Sequence, residues 1–175
     1  MDNGRAIVVM GVSGCGKTSV AEGLAASLGY SFLEGDRLHP QASIDKMSKG
    51  VPLTDADRWP WLQRIGERLR EATASERGIV AACSALKRSY RDCLRSAAGT
   101  GLSFVFLSGS RALLLERMGE RKGHFMPASL LDSQLAALED PSAEPDVVTV
   151  DIDATVTDVI AASLRELSAL WEQGR

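Results

Sequence analysis

The chain has 175 residues, 45% hydrophobic and 25% charged, with a net charge of −3. That length suits one compact domain, residues 1–175, with a sizeable core, and the composition is that of an ordinary globule. The near-neutral, slightly acidic balance argues against a general nucleic-acid or anionic-membrane surface, yet leaves room for a local basic pocket.

No apolar run approaches the roughly 20 residues that span a bilayer. The N-terminus passes straight into a structural motif without a signal peptide. Cys15, Cys83 and Cys93 are odd in number and form no Cys-x-x-Cys pair. They read as thiols of a reducing cytoplasm rather than disulfides or zinc ligands. Two histidines, His39 and His124, are too few for a histidine-based metal site.

The first predicted strand, Arg5–Met10, is a near-continuous apolar run, as in a parallel strand covered on both faces. It leads into Gly11-Val12-Ser13-Gly14-Cys15-Gly16-Lys17-Thr18, which matches G-x-x-x-x-G-K-[ST]. Glycines let such a loop curl until successive N–H groups converge on phosphate oxygens. The following helix, marked by Val20, Leu24 and Leu28, adds its positive dipole end. Lys17 supplies a point charge for the β- and γ-phosphates, and Thr18 a hydroxyl for Mg²⁺. Strand and helix on either side make a chance match improbable. Cys15 occupies a variable position and reads as a packed or partly exposed thiol.

A second predicted strand, Tyr30–Leu33, ends in Glu34-Gly35-Asp36-Arg37-Leu38-His39-Pro40. Ligands of parallel α/β sheets bind beyond the carboxyl ends of strands. Asp36 there could orient a hydroxyl and accept its proton. Glu34 either holds a magnesium-bound water or is a surface carboxylate, and His39 is either a hydroxyl partner or structural. The next helix carries Leu62, Ile65 and Leu69 on one face, with Pro60 expected in its first turn. Arg58 precedes Trp59 and Trp61, of which one ring should be packed and one half-exposed.

The third strand, Ile79–Ala82, runs into CSALKRSYRDCLR. A spacing of four puts Lys87 and Arg91 on one helical face, where both can aim at one anion. The alternative is that such cations snorkel at the surface. The fourth strand is Ser103–Leu107. A helical segment follows, with Leu113–Leu115 and then Arg117 and Arg121 on one face, broken by Gly123 and Pro127. It reads either as a mobile lid, spanning about 117–135, whose arginines neutralise a transferring phosphoryl, or as a solvated basic helix end. Polar Glu139–Asp146 precedes the fifth strand, Val147–Asp151. Val156, Val159, Ile160, Leu164, Leu167 and Trp171 line the last helix.

Alternating strands and helices mean an α/β fold with a parallel sheet. The guanine-reading Asn-Lys-x-Asp tetrapeptide is absent, which disfavours a GTPase. Two classes remain: a small kinase with an acceptor pocket, and a nucleotide-binding switch that transfers nothing.

The phosphate loop, GDRLHP, KMSKGVPLTDADRWPWL, CSALKRSYRD and RMGERKGHFMPASLLDSQLAALEDP, in this order, closely resemble the bacterial-type gluconate kinases, relatives of shikimate kinase and the nucleoside monophosphate kinases. The resemblance runs from Ile7 to about Asp153. It implies a P-loop, three-layer α/β/α fold with a five-stranded parallel sheet of order 2-3-1-4-5, a mobile lid and a homodimer. It also implies MgATP-dependent phosphorylation of D-gluconate at the 6-hydroxyl. Gly11–Thr18 would bind ATP and Mg²⁺, Asp36 would face the acceptor hydroxyl, and His39, Arg58, Lys87 and Arg91 would line the gluconate site. Arg121 would be the lid arginine and Arg117 would lie near the adenine. One departure is Ser43, where the family commonly has Asn. The rival within the class is a kinase for another small hydroxy acid such as shikimate.

Overall fold

The computed structural model describes residues 4–120 and 128–174. Its strands are β1 (Ala6–Met10), β2 (Ser31–Glu34), β3 (Ile79–Ala82), β4 (Leu102–Ser108) and β5 (Val147–Asp151). They form one sheet in the order β2-β3-β1-β4-β5, and every adjacent pair is parallel. The helices are α1 (Lys17–Leu28), α2 (Gln41–Ser48), α3 (Asp55–Ala74), α4 (Arg88–Ala98), α5 (Arg111–Glu120), α6 (Ala128–Ala137) and α7 (Val156–Gln173).

Side chains alternate across a strand, so β1 feeds two cores. Ile7 and Val9 pack with Val20 and Leu24 of α1 and Val159 and Leu167 of α7. Ala6, Val8 and Met10 pack with Leu62, Ile65 and Leu69 of α3 and Leu94 of α4. Two helical layers therefore sandwich the sheet, which explains the apolar strand runs. Val156, expected on the buried face of the last helix, is 48% exposed, because it occupies the first position of α7 beside its Thr155 cap.

Pro60 departs from expectation. Thr54 and Asp57 form a reciprocal capping box: the Thr54 hydroxyl accepts from the Asp57 N–H at 3.2 Å, and the Asp57 carboxylate from the Thr54 N–H at 2.9 Å. This starts α3 at Asp55 and leaves Pro60 inside the helix, where it removes one ladder bond to the Ala56 carbonyl. Both residues are exposed, so water can take that carbonyl. Ser43 is buried in α2.

Candidate active site

The loop after β1 turns through Gly11, Gly14 and Gly16, at φ 146°, 84° and 88°. Such angles strain any residue with a Cβ. Gly16 is the N-cap of α1 in a left-handed conformation, so the helix N-terminus opens onto the loop. Lys17 Nζ donates to the Val12 carbonyl at 3.1 Å. Thr18 Oγ1 donates to Glu34 Oε2 at 2.6 Å, joining the loop to the end of β2. A cavity of about 530 Å³ lies here, bordered by Ser13, Lys17, Thr18, Glu34, Asp36 and His39 among others.

Gly35 follows Glu34, and a Cβ on it would lie 2.4 Å from the Ala82 carbonyl oxygen. Only glycine lets the chain cross the end of β3 this closely. The crossing becomes a 3₁₀ turn, Gly35–Leu38, that presents Asp36 with its side chain 82% exposed. His39 lies face to face on Trp61, with centroids 4.2 Å apart and planes 14° from parallel. The Trp61 indole N–H donates to the Gly35 carbonyl at 2.8 Å. Trp61 is thus the packed ring, while Trp59 is 38% exposed and meets Tyr90 edge-on. The buried His39 Nδ1 has no hydrogen-bond partner among the described residues. Burial lowers the His39 pKa, opposed by Asp36 and assisted by Arg58, so the ring is neutral at pH 7 and can serve a neutral hydroxyl.

A second cavity of about 950 Å³ adjoins the first. Asp36, His39, Met47, Ser84 and Gln134 line both. Arg58 and Lys87 contribute to the second. Arg58 donates to the Leu53 carbonyl at 2.6 Å, which leaves most of its guanidinium N–H groups for a ligand. Lys87 Nζ lies 3.1 Å from Asp55, and the Tyr90 hydroxyl donates to the same carboxylate at 2.5 Å. Those two bonds, Tyr90 first, lower the Asp55 pKa, and the Asp55 bond raises that of Lys87. Asp55 and Tyr90 were not expected here. Their signal was present: Asp55 lies beside the capping Thr54, and Tyr90 is three residues after Lys87.

Arg91 is not brought into either cavity, which corrects its reading as a gluconate ligand. It is fully buried. Its guanidinium donates to Glu144 at 2.6–3.1 Å and to the carbonyls of Ala85, Leu86 and Glu139 at 2.9–3.0 Å. Nor does it share a helical face with Lys87, because α4 starts at Arg88 and Lys87 is an extended N-cap. Arg91 braces Ala85, whose φ of 46° is left-handed for a non-glycine residue. The Ser84 carbonyl, one residue earlier, accepts from the Gly11 N–H at 3.3 Å. The buried arginine therefore secures the turn between the two cavities.

Arg117 donates to the carbonyls of Ile152 and Ala154, in the turn after β5. Arg121 and the central lid motif, 121–127, lie outside the described residues. Cys15 is packed, at 1% exposure. Burial pushes the Cys83 thiol up to about 12, so it stays neutral beside the phosphate cavity. Among the described residues no three His, Cys, Asp or Glu side chains gather into a metal site. No helix of the described residues is long and apolar enough to cross a membrane.

A phosphate loop on the central strand of a 2-3-1-4-5 parallel sheet, with an acceptor cavity against it, defines a P-loop kinase. A family model described as an AAA domain matches residues 7–141. The chain is 50% identical to a gluconokinase of Gluconobacter oxydans, over 94% of this chain and 92% of that one. It is 45% identical to the thermosensitive gluconokinase of Escherichia coli, over 89% and 83%. The crystal structure of a gluconokinase from Sinorhizobium meliloti superposes with a TM-score of 0.89 at 54% identity, covering 99% of this chain and 97% of that one. Shikimate kinase from Aquifex aeolicus shares the fold, with a TM-score of 0.58 at 15% identity. The chain belongs to the gluconokinase family.

Proposed function

We propose that this enzyme transfers the γ-phosphoryl group of ATP to the 6-hydroxyl of D-gluconate, giving 6-phospho-D-gluconate. The observation that carries the reading is that Lys17 and Asp36 border one cavity, which continues past Asp36 and His39 into a second cavity holding Arg58 and Lys87. Gluconate has one carboxylate and a chain of hydroxyls. Arg58 and Lys87 suit the first, and the unpartnered His39 nitrogen suits the second. Asp36 aligns the terminal hydroxyl towards the phosphate loop and takes its proton, while Lys17 and the loop N–H groups stabilise charge spread over the transferring phosphoryl. Thr18, with Glu34 behind it, would hold Mg²⁺, whose chemistry is to neutralise phosphate charge. Arg117, against the turn after β5, fits a place beside the adenine. Arg121, on its sequence motif alone, would close over the phosphoryl, and α5 and α6 would frame the lid.

The test offers purified protein MgATP with a panel of aldonates, free sugars and shikimate, and follows ADP release and product mass. Gluconate-dependent ADP release with formation of the 6-phosphate supports the assignment. ADP release that ignores every acceptor would favour a switch, and release with shikimate alone would favour the other kinase. The reading extends to a homodimer, as the resemblance implies, and to the cytoplasm. Its free thiols at Cys15, Cys83 and Cys93 suit a reducing compartment, and sedimentation would weigh the assembly.

A further inference from the structure

Gln134 reaches the phosphate loop across 121 sequence positions. Its Oε1 accepts from the Ser13 N–H at 2.7 Å, and its Nε2 donates to Ser13 Oγ at 2.9 Å. The amide orientation follows from chemistry, since a backbone N–H can only donate and the atom facing it must be the oxygen. Leu131, fully buried one turn earlier, and the Arg111–Asp132 ion pair at 2.6 Å hold α6 in place. Gln134 also borders both cavities. A nucleotide's phosphates therefore meet a loop whose third N–H is already engaged by a side chain of the acceptor wall.

We propose that Gln134 is a positioning residue that couples the two cavities, holding the Ser13 N–H until a phosphate oxygen replaces it and then turning its freed amide to the hydroxyls of the acceptor. This rests on the gluconokinase reading for the identity of the acceptor, though not for the contact with Ser13. A charged phosphate oxygen is a stronger acceptor than an amide oxygen, so exchange at Ser13 favours nucleotide. The released amide still needs partners, and a polyhydroxy acid supplies both donors and acceptors. Each ligand thereby lowers the cost of binding the other, by the same factor in both directions.

The experiment is calorimetric titration of the holo-competent full chain with a magnesium complex of a non-hydrolysable ATP analogue, with and without gluconate. For the wild type, gluconate should tighten the analogue about three- to tenfold, the worth of roughly one net hydrogen bond. Equal affinities overturn the coupling, and this arm needs no variant. Gln134→Met fills the same space without polar atoms. Its analogue Kd in the absence of gluconate should fall about three- to tenfold, because nothing must be displaced, and gluconate should no longer change it. A Kd that rises or stays put would mean that Gln134 merely props the loop, and would overturn the proposal. Gluconate turnover by the wild type is scored separately. An active enzyme without coupling removes the role of Gln134 alone, whereas an inactive one whose Met variant binds the analogue more tightly removes gluconate and keeps the contact.

Discussion

Replacing Arg91 by alanine separates the structural role of this arginine from the ligand role that its spacing suggests. The side chain is fully buried, and Glu144, its partner, keeps only 7% of its side-chain surface. Removal leaves Glu144 with Arg95 alone (2.5 Å) and strips the carbonyls of Ala85 and Glu139 of a donor. Breaking a buried pair by deleting one member costs about 3–5 kcal/mol. At roughly 2–4 °C per kcal/mol for a chain of this size, that is about 6–20 °C in Tm. Thermal melting read by circular dichroism, beside steady-state kinetics, is the assay. Arg91→Ala should melt far earlier and, assayed cold, lose kcat along with affinity as the Ala85 turn loosens. A variant that melts within about 2 °C of its parent while KM for gluconate alone climbs about tenfold would refute this and return Arg91 to the pocket.

Lys87 is instead the cation expected to feel the acceptor, so Lys87→Met should raise KM for gluconate by about tenfold, the scale of a lost charge-assisted hydrogen bond, and leave KM for ATP little changed. An equal rise in both would place it elsewhere. Asp36→Asn should depress kcat by about 10²-fold or more, and unchanged turnover would take Asp36 out of the chemistry. Lys17→Ala should abolish transfer, and near-normal turnover would remove the lysine from the phosphate cradle. Burial pushes Glu144 up, but hydrogen bonds from Arg91 and Arg95 outweigh it and hold the carboxyl below its ordinary 4.5. A carboxyl with a depressed folded pKa contributes stability that is complete above the unfolded value and drains as pH falls through the folded one. The gap in Tm between parent and Glu144→Gln should therefore hold steady at neutral pH and shrink below pH 4.5; a gap that widens on acidification would contradict this.

The strands and the phosphate loop were legible because their signals are local. β3 and β5 carry the expected bounds, whereas β1 starts one residue later, β2 shifts by one and β4 gains one at each end, as strand limits do. Glu34 and Asp36 could be placed beside the phosphate loop from the sequence because one closes a strand and the other follows it. Arg91 misled because a four-residue spacing presumes that both residues are helical, whereas the helix begins between them, and the carboxylate that buries it lies 53 positions later. Pro60 misled because proline often opens a helix, but here the Thr54–Asp57 box had already opened it. Gln134 carried no local signal: a glutamine in a leucine-rich helix is unremarkable until the fold brings Ser13 beside it.

The sheet order separates two kinds of ground. The phosphate loop hangs from the innermost strand, hemmed in by β3 and β4, whereas much of the wall of the second cavity, where we propose the sugar acid sits, comes from the turn after the outermost strand, from α2 and from the segment leading into α3, where Met47 and Val51 remain exposed. Selection for new aldonate preferences should therefore find permissive mutations along that margin, with folding left intact. Comparable changes beneath the nucleotide would disturb both cores at once, so a lineage of such enzymes can diversify its diet while its phosphate donor stays fixed.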